Sequence, residues 1–101
     1  PEIALDFMDS AIVIIEKDMP ENHPRIGSYQ QQYAALLASE RQYDLSNSYY
    51  VKAIANYQIN YGQKAPKRMA KFQRYYAQSL EKQGLYDSAN LLYQQAAKYL
   101  P

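Results

Sequence analysis

Cysteine and tryptophan are absent from this chain, and glycine and histidine are rare. The 101 residues include no Cys, no Trp, three Gly and one His. Without Cys there is no disulfide and no thiolate zinc site, and His23 has no second His or Cys with which to form a metal site. We therefore expect no cofactor, no metal and no enzyme activity from these residues.

Long apolar runs are missing as well. The longest run, Ala11 to Ile15, is far shorter than the roughly 20 residues that a transmembrane helix needs. The first residues carry acidic side chains where a signal peptide carries basic ones. We expect no membrane partner and a cytoplasmic location.

The chain has no overall excess of one charge. Its formal net charge is +1, which gives no general attraction to nucleic acid, and no nucleic-acid partner is predicted. The two signs are nevertheless separated along the sequence, because residues 1–22 are acidic and residues 64–74 contain no acid. The basic side chains of this second stretch are Lys64, Lys67, Arg68, Lys71 and Arg74.

The chain is rich in tyrosine, and its apolar residues recur at helical spacing. Twelve residues are Tyr, a side chain that packs its ring while its hydroxyl stays hydrogen-bonded. Apolar residues recur at helical spacing in five segments, approximately 2–18, 24–40, 43–60, 66–83 and 86–100, and no segment alternates like a strand. Pro24 and Pro66 suit helix starts, and Gly27 is expected to cost about 1 kcal/mol relative to Ala. We predict an all-α fold of five antiparallel helices.

The first helix is apolar on more than one face. Its main stripe consists of Ile3, Ala4, Phe7, Met8, Ala11, Ile12 and Ile15. Three further apolar residues, Leu5, Val13 and Ile14, lie off that stripe. A helix of this kind is usually covered on two sides.

Two parts of the sequence repeat each other. The first set is Gln30, Tyr33, Ala34, Leu37, Tyr43, Asp44, Tyr50 and Ala53. It recurs 43 positions later as Gln73, Tyr76, Ala77, Leu80, Tyr86, Asp87, Tyr93 and Ala96. An internal repeat built from two helical patterns predicts stacked helix pairs.

The order of small and large residues in these pairs resembles the tetratricopeptide repeat (TPR). The matching residues are Tyr33-Ala34-Leu37 with Ser46-Tyr50-Ala53, and Tyr76-Ala77-Leu80 with Ala89-Tyr93-Ala96. The period exceeds the usual 34 or so residues. With His23-Pro24 opening a pair, it is similar to the kinesin-light-chain-like subclass of about 42 residues. Ala65-Pro66 departs from that pattern in the second pair, and Arg41 stands where a turn glycine is expected.

The resemblance implies a right-handed superhelix that contains one B helix followed by two A/B pairs. Ala4, Met8 and Ala11 lie 42 positions before Ser46, Tyr50 and Ala53, which makes the first helix a B helix without its A helix. We interpret residues 1–101 as a single segment, a fragment of a longer array. Its uncovered apolar side chains, including Val13 and Ile14, would favour self-association through the N-terminal helix.

The resemblance also implies a function in binding a protein or peptide. The groove-facing positions of the A helices would be Ser28, Gln31, Gln32, Ala35, Lys71, Arg74, Tyr75 and Gln78. The cations Lys71 and Arg74, three residues apart on one helix face, favour an acidic peptide as the ligand. The alternative is a structural or self-associating segment that spaces or oligomerises a larger protein, or that regulates an attached catalytic domain.

Each candidate feature also has a plain structural interpretation. The basic stretch is either a binding surface or a solubilising surface, and the sequence leaves both interpretations open. The acidic residues Glu16, Asp18 and Glu21 are expected to form a solvated face. His23 is expected to mark the boundary between two repeats, because it precedes Pro24 in a loop.

Overall fold

Five α-helices make up the computed structural model, which describes residues 2–99. They are α1 (Glu2–Asp18), α2 (Pro24–Ser39), α3 (Tyr43–Asn60), α4 (Pro66–Lys82) and α5 (Tyr86–Ala97), and a 3₁₀ turn lies at Gly62–Lys64. No strand occurs within residues 2–99, and the predicted all-α fold is confirmed there. The expected end of the last helix at Leu100 lies outside the described residues, and α5 itself ends at Ala97.

The helices belong to two compact units. The first ends at Asn60 and contains α1, α2 and α3, and the second begins at Tyr61 and contains α4 and α5. In the first unit α1 packs on α2 and α2 packs on α3, whereas in the second α4 packs on α5. No helix within the described part of the chain is both long and apolar enough to cross a bilayer.

The same turn closes the first helix of both pairs. After α2, the backbone N–H of Gln42 donates to the Leu37 carbonyl at 2.9 Å, and after α4 the N–H of Leu85 donates to the Leu80 carbonyl at 2.9 Å. These are the bonds of a Schellman C-cap, which requires a residue with positive φ. Gly84 supplies it at φ 82° and Arg41 at φ 60°, so the arginine adopts the backbone conformation expected for the missing glycine.

Small residues allow α2 and α3 to approach closely. Ala34 and Ser46 are fully buried, and the Ser46 hydroxyl donates to the Ala34 carbonyl at 2.7 Å. That bond satisfies a polar group which would otherwise be costly to bury. Their counterparts 43 positions later, Ala77 and Ala89, are fully buried in a cluster with Leu80. The repeat seen in the sequence is thus also a repeat of packing within each helix pair.

The rotation of α1 differs from the predicted one. Leu5, Met8 and Ile12 are the side chains of α1 that pack on Tyr33 and Leu37 of α2. Leu5 was expected off the packing stripe and is buried. The buried side of α1 is the side that α2 covers. Periodicity alone does not identify that side when a helix is apolar on more than one face.

One apolar side of α1 remains uncovered. Phe7, predicted to pack inward, is 72% exposed, and Val13 and Ile14 are 63% and 58% exposed. The structure therefore corrects the inward assignment of Phe7.

Candidate functional site

The predicted residues of α4 form one exposed face. Lys71, Arg74, Tyr75 and Gln78 follow each other at helical spacing, and each of these side chains is exposed. The Lys71 ammonium lies 5.7 Å from the centre of the Tyr75 ring, within reach of a cation–π contact. The face therefore combines two cations, an aromatic ring and an amide.

Arg74 lies at the edge of this face near α5. The Tyr93 hydroxyl donates a hydrogen bond to the Glu81 carboxylate. The pKa of Tyr93 is raised, first by this hydrogen bond and then by burial and the negative charge of Glu81. The positive charge of Arg74 lowers the same pKa. Arg74 thus stands close enough to influence the Tyr93 hydroxyl, yet its own side chain is exposed.

The predicted residues of α2 lie on one face of their own helix. Ser28 and Gln31 are half-buried, whereas Gln32 and Ala35 are exposed. This face carries no charge, so it offers amide and hydroxyl groups but no electrostatic attraction. The two predicted sets belong to separate compact units, and the structure brings residues together within each set.

A concave site that was not predicted lies within the first unit. We call this cavity of about 280 Å³ the first notch. It is lined by Glu16, Glu21, Asn22, Ile26, Gln30, Lys52, Ala55, Asn56 and Ile59. The side chains include two carboxylates, one ammonium and three amides, with apolar groups between them.

Gln30 has a buried amide oxygen without a partner in this notch. Its side chain is 7% exposed, and its Nε2 donates to Glu16 Oε2 at 3.0 Å. No group within residues 2–99 hydrogen-bonds to its Oε1. An unsatisfied buried acceptor costs roughly 1–3 kcal/mol, so a native structure with one needs an explanation.

Two tyrosines donate hydrogen bonds to carboxylates of α1. The Tyr33 hydroxyl donates to Asp9, and the Tyr49 hydroxyl donates to Glu16 Oε1 at 3.4 Å. Burial is the largest cause that raises the pKa of both tyrosines, and the neighbouring carboxylates add to it. Glu16 therefore accepts hydrogen bonds from Gln30 and Tyr49, and this carboxylate is not merely part of the solvated face that we expected.

The loop before α2 is fastened to the end of α3. Asn56 Nδ2 donates to the His23 carbonyl at 3.0 Å, and Asn60 Nδ2 donates to the Asn22 carbonyl at 2.8 Å. His23 Nδ1 accepts the backbone N–H of Arg25 at 3.1 Å and caps α2. These contacts give the loop side of the notch a defined position, and they give His23 a structural role.

The second unit has a cavity at the corresponding positions. We call it the second notch, with a volume of about 240 Å³ and a lining of Gln73, Gln95, Lys98 and Tyr99. Each of these residues lies 43 positions after a residue of the first notch, namely Gln30, Lys52, Ala55 and Asn56. The Gln73 side chain is 6% exposed, and its Oε1 also lacks a hydrogen-bond partner. The repeat therefore reproduces both the cavity and its unsatisfied oxygen.

The sequence analysis found Gln30 in the internal repeat but attached no function to it. A signal was available, because a polar amide recurs at an inward helical position in both copies of the repeat. The pairing with Glu16 was not visible, since it joins residues 14 positions apart on different helices. Among the described residues, no three His, Asp or Glu side chains form a cluster suited to a metal ion.

Comparison with known proteins gives no match. No protein-family model, curated protein or solved structure matches this chain. The TPR-like pattern therefore rests on the internal repeat of this chain, and any assignment of function rests on its own residues.

Proposed function

We propose that this chain is a segment of a TPR-type helical repeat that binds an acidic segment of another protein. The binding surface in this proposal is the exposed face of α4, with the uncharged face of α2 as a second surface. The observation that carries it is the grouping of Lys71, Arg74, Tyr75 and Gln78 on a single exposed helix face.

Each side chain of the α4 face has a use in such binding. The guanidinium of Arg74 can hold a carboxylate through two parallel hydrogen bonds, and Lys71 adds a second cation within one helical turn. Tyr75 offers an aromatic surface beside Lys71, and the Gln78 amide can both donate to and accept from a peptide backbone. Exposed ion pairs contribute roughly 0–1 kcal/mol each, so the expected affinity is modest and falls as salt is added.

Fluorescence anisotropy with short labelled acidic peptides tests this function. A peptide that binds is compared with its neutral version, in which every Glu and Asp becomes Gln or Asn. The double variant Lys71→Glu/Arg74→Glu is expected to weaken binding at least about tenfold, because two attractions become repulsions.

A charge-matched variant serves as the control. Lys17→Glu/Arg25→Glu makes the same change in net charge at two exposed positions of the first unit, and it is expected to bind within about twofold of the parent. Equal losses in both variants would show attraction to net charge alone. Unchanged binding in the α4 variant would exclude this face as the site.

The second candidate function is self-association, with a second copy of this chain on the exposed side of α1. Phe7, Val13 and Ile14 expose apolar surface there, next to the exposed carboxylates Asp6 and Asp9. Another copy of the chain offers the complementary charge in the basic stretch of residues 64–74.

Light scattering over a range of concentrations tests this second candidate. Phe7→Gln is expected to reduce the rise of apparent mass with concentration, because it removes the most exposed apolar ring of α1. Leu91→Gln makes a comparable change on α5, where Leu91 is 57% exposed, and is expected to have no effect. A parent protein that stays monomeric at high concentration would exclude self-association.

A further inference from the structure

Gln30 presents a buried oxygen whose identity is determined by its neighbour. The Glu16 carboxylate only accepts hydrogen bonds, so the group of Gln30 that faces it must be the amide nitrogen. The oxygen is then the atom left without a donor, and flipping the amide would place two acceptors against each other. The unsatisfied Oε1 is therefore a consequence of Glu16.

Two donor groups that line the first notch, on Lys52 and Asn56, make contacts with other partners. The Lys52 ammonium lies over the Tyr49 ring, 4.4 Å from its centre. Asn56 Nδ2 donates to the His23 carbonyl at 3.0 Å. Neither contact supplies a donor to Gln30 Oε1, the buried oxygen of a residue that lines the notch.

The charge of the lining favours a cation. Glu16 and Glu21 contribute two negative charges, and Lys52 contributes one positive charge. Because Glu16 also accepts from Gln30 and Tyr49, its carboxylate is held in place before a ligand arrives. A preorganised carboxylate loses less side-chain entropy on binding than a free one.

The size and chemistry of the notch suit one kind of cation. A primary ammonium has three N–H donors and a positive charge, and the Glu16 and Glu21 carboxylates of the lining are acceptors for it. Ile26, Ala55 and Ile59 supply apolar surface for a methylene chain. The volume of about 280 Å³ suits a group of side-chain size.

We propose that the first notch binds a primary alkylammonium group, carried either by a lysine side chain of a partner protein or by a free aliphatic diamine. The site is separate from the α4 face and has the opposite charge preference. Either proposal can fail while the other stands.

The second notch is an internal control for this proposal. It repeats the buried glutamine with its unsatisfied oxygen, but the described residues of its lining include Lys98 and no carboxylate. If the unsatisfied glutamine oxygen alone attracted an ammonium group, both notches would bind it. Because the carboxylates are required in this proposal, the first notch binds the ammonium and the second does not.

Titration followed by amide NMR tests the site. The probes are Nα-acetyl-lysine amide, 1,4-diaminobutane and, as an uncharged control, Nα-acetyl-norleucine amide. We expect saturable shifts for the Gln30 side-chain amide and for Ile26 and Ala55 with at least one ammonium probe. We expect no saturable shift for Gln73 or Gln95, and none with the norleucine probe.

The two ammonium probes distinguish the source of the group. Saturation with the lysine amide alone indicates a lysine of a partner protein, and saturation with the diamine alone indicates a free diamine. Saturation with both supports a site for the primary ammonium group that the two probes share. If neither probe saturates, or if the norleucine probe moves the same resonances, the proposal is wrong.

Matched carboxylate variants complete the test. Glu16→Gln is expected to weaken ammonium binding at least about threefold, since it removes the charge but keeps an acceptor. Asp18→Asn neutralises another exposed carboxylate near the end of α1, outside the notch, and is expected to leave binding within about twofold. Equal effects of both variants, or no effect of Glu16→Gln, would overturn the assignment.

Discussion

Gly27 leaves the space that the Asn56 side chain occupies. A Cβ atom added at position 27 would lie 2.4 Å from Asn56 Oδ1 and 2.9 Å from its Cγ. Asn56 cannot simply move away, because it is buried and its Nδ2 donates to the His23 carbonyl. The absence of a side chain in α2 therefore allows α3 to hold the preceding loop.

Gly27→Ala is expected to destabilise the first unit. Helix propensity favours Ala by about 1 kcal/mol, but overpacking against Asn56 costs roughly 1–3 kcal/mol and disturbs a buried hydrogen bond. We expect a net loss of about 1–2 kcal/mol in the free energy of unfolding, measured with urea and circular dichroism. Adding Asn56→Ala removes the two shortest contacts and leaves the Cβ of residue 56 at 3.1 Å, so Gly27→Ala should then cost less than it does in the parent. A stabilising effect of Gly27→Ala alone would contradict this explanation.

Arg41→Gly is expected to stabilise the turn after α2. Arg41 has φ 60°, a conformation that is unfavourable for a residue with a Cβ atom. The relief is partly offset by the greater freedom of glycine in the unfolded chain, so we expect a gain of about 0.5–1 kcal/mol.

Gly84→Arg is the reverse change at the corresponding turn. A Cβ atom at Gly84 meets nothing within 4 Å, so no steric contact of the Cβ adds to the cost of the backbone conformation. We expect a loss of about 1 kcal/mol, measured by the same urea titration. The explanation by left-handed backbone strain fails if neither exchange alters stability.

Tyr50→Ala is expected to cost about 3–5 kcal/mol, the range for truncating a buried aromatic side chain. Tyr50 is 5% exposed on α3, and such a loss is a large part of the stability of a small protein. Val51→Ala, at an adjacent residue that is 54% exposed, should change stability by less than about 0.5 kcal/mol. Similar urea midpoints for the two variants would exclude Tyr50 as a main packing residue.

Alkaline pH is expected to destabilise the first unit through Tyr33. Burial first, and then the hydrogen bond to Asp9 and the charges of Asp9 and Glu16, raise the pKa of the Tyr33 hydroxyl above its ordinary value. The neighbouring Tyr49 has a raised pKa for similar reasons. Above about pH 10 the unfolded chain loses the phenol proton first, so stability declines as the pH rises toward the folded-state pKa.

Urea unfolding at several pH values from about 7 to about 11.5 measures this effect. Tyr33→Phe should be less stable than the parent at neutral pH, because Asp9 loses a donor, and should lose less stability as the pH rises. Tyr86→Phe changes an exposed tyrosine and should follow the parent. Parallel curves for all three proteins would rule out Tyr33 as a source of the alkaline loss.

The helices and turns were predictable from local features of the sequence. Pro24 and Pro66 begin α2 and α4 as expected, and the repeat located the small residues Ala34 and Ser46 where α2 and α3 meet. Helix starts and the spacing of small residues along a helix depend on residues close in sequence. They can therefore be predicted without knowing which distant residues are in contact.

The candidate sites were predictable only in part. Helical spacing was enough to group Lys71, Arg74 and Tyr75 on one face of α4, because residues three and four apart are neighbours on any helix. Their exposure follows from the structure. The first notch was missed because its carboxylate Glu16 and its amide Gln30 come from different helices.

What the sequence determined by itself is the all-α character of the described chain, the pairing pattern of its helices and the repetition of Gln30 as Gln73. Tertiary structure decided which side of α1 is buried, where Leu5 packs on α2 and Phe7 remains exposed. It also decided that Gly27 accommodates Asn56 and that Glu16 leaves Gln30 Oε1 without a partner. The physical reason is that helix formation depends on residues a few positions apart, whereas helix rotation and polar satisfaction depend on side chains that only packing brings together.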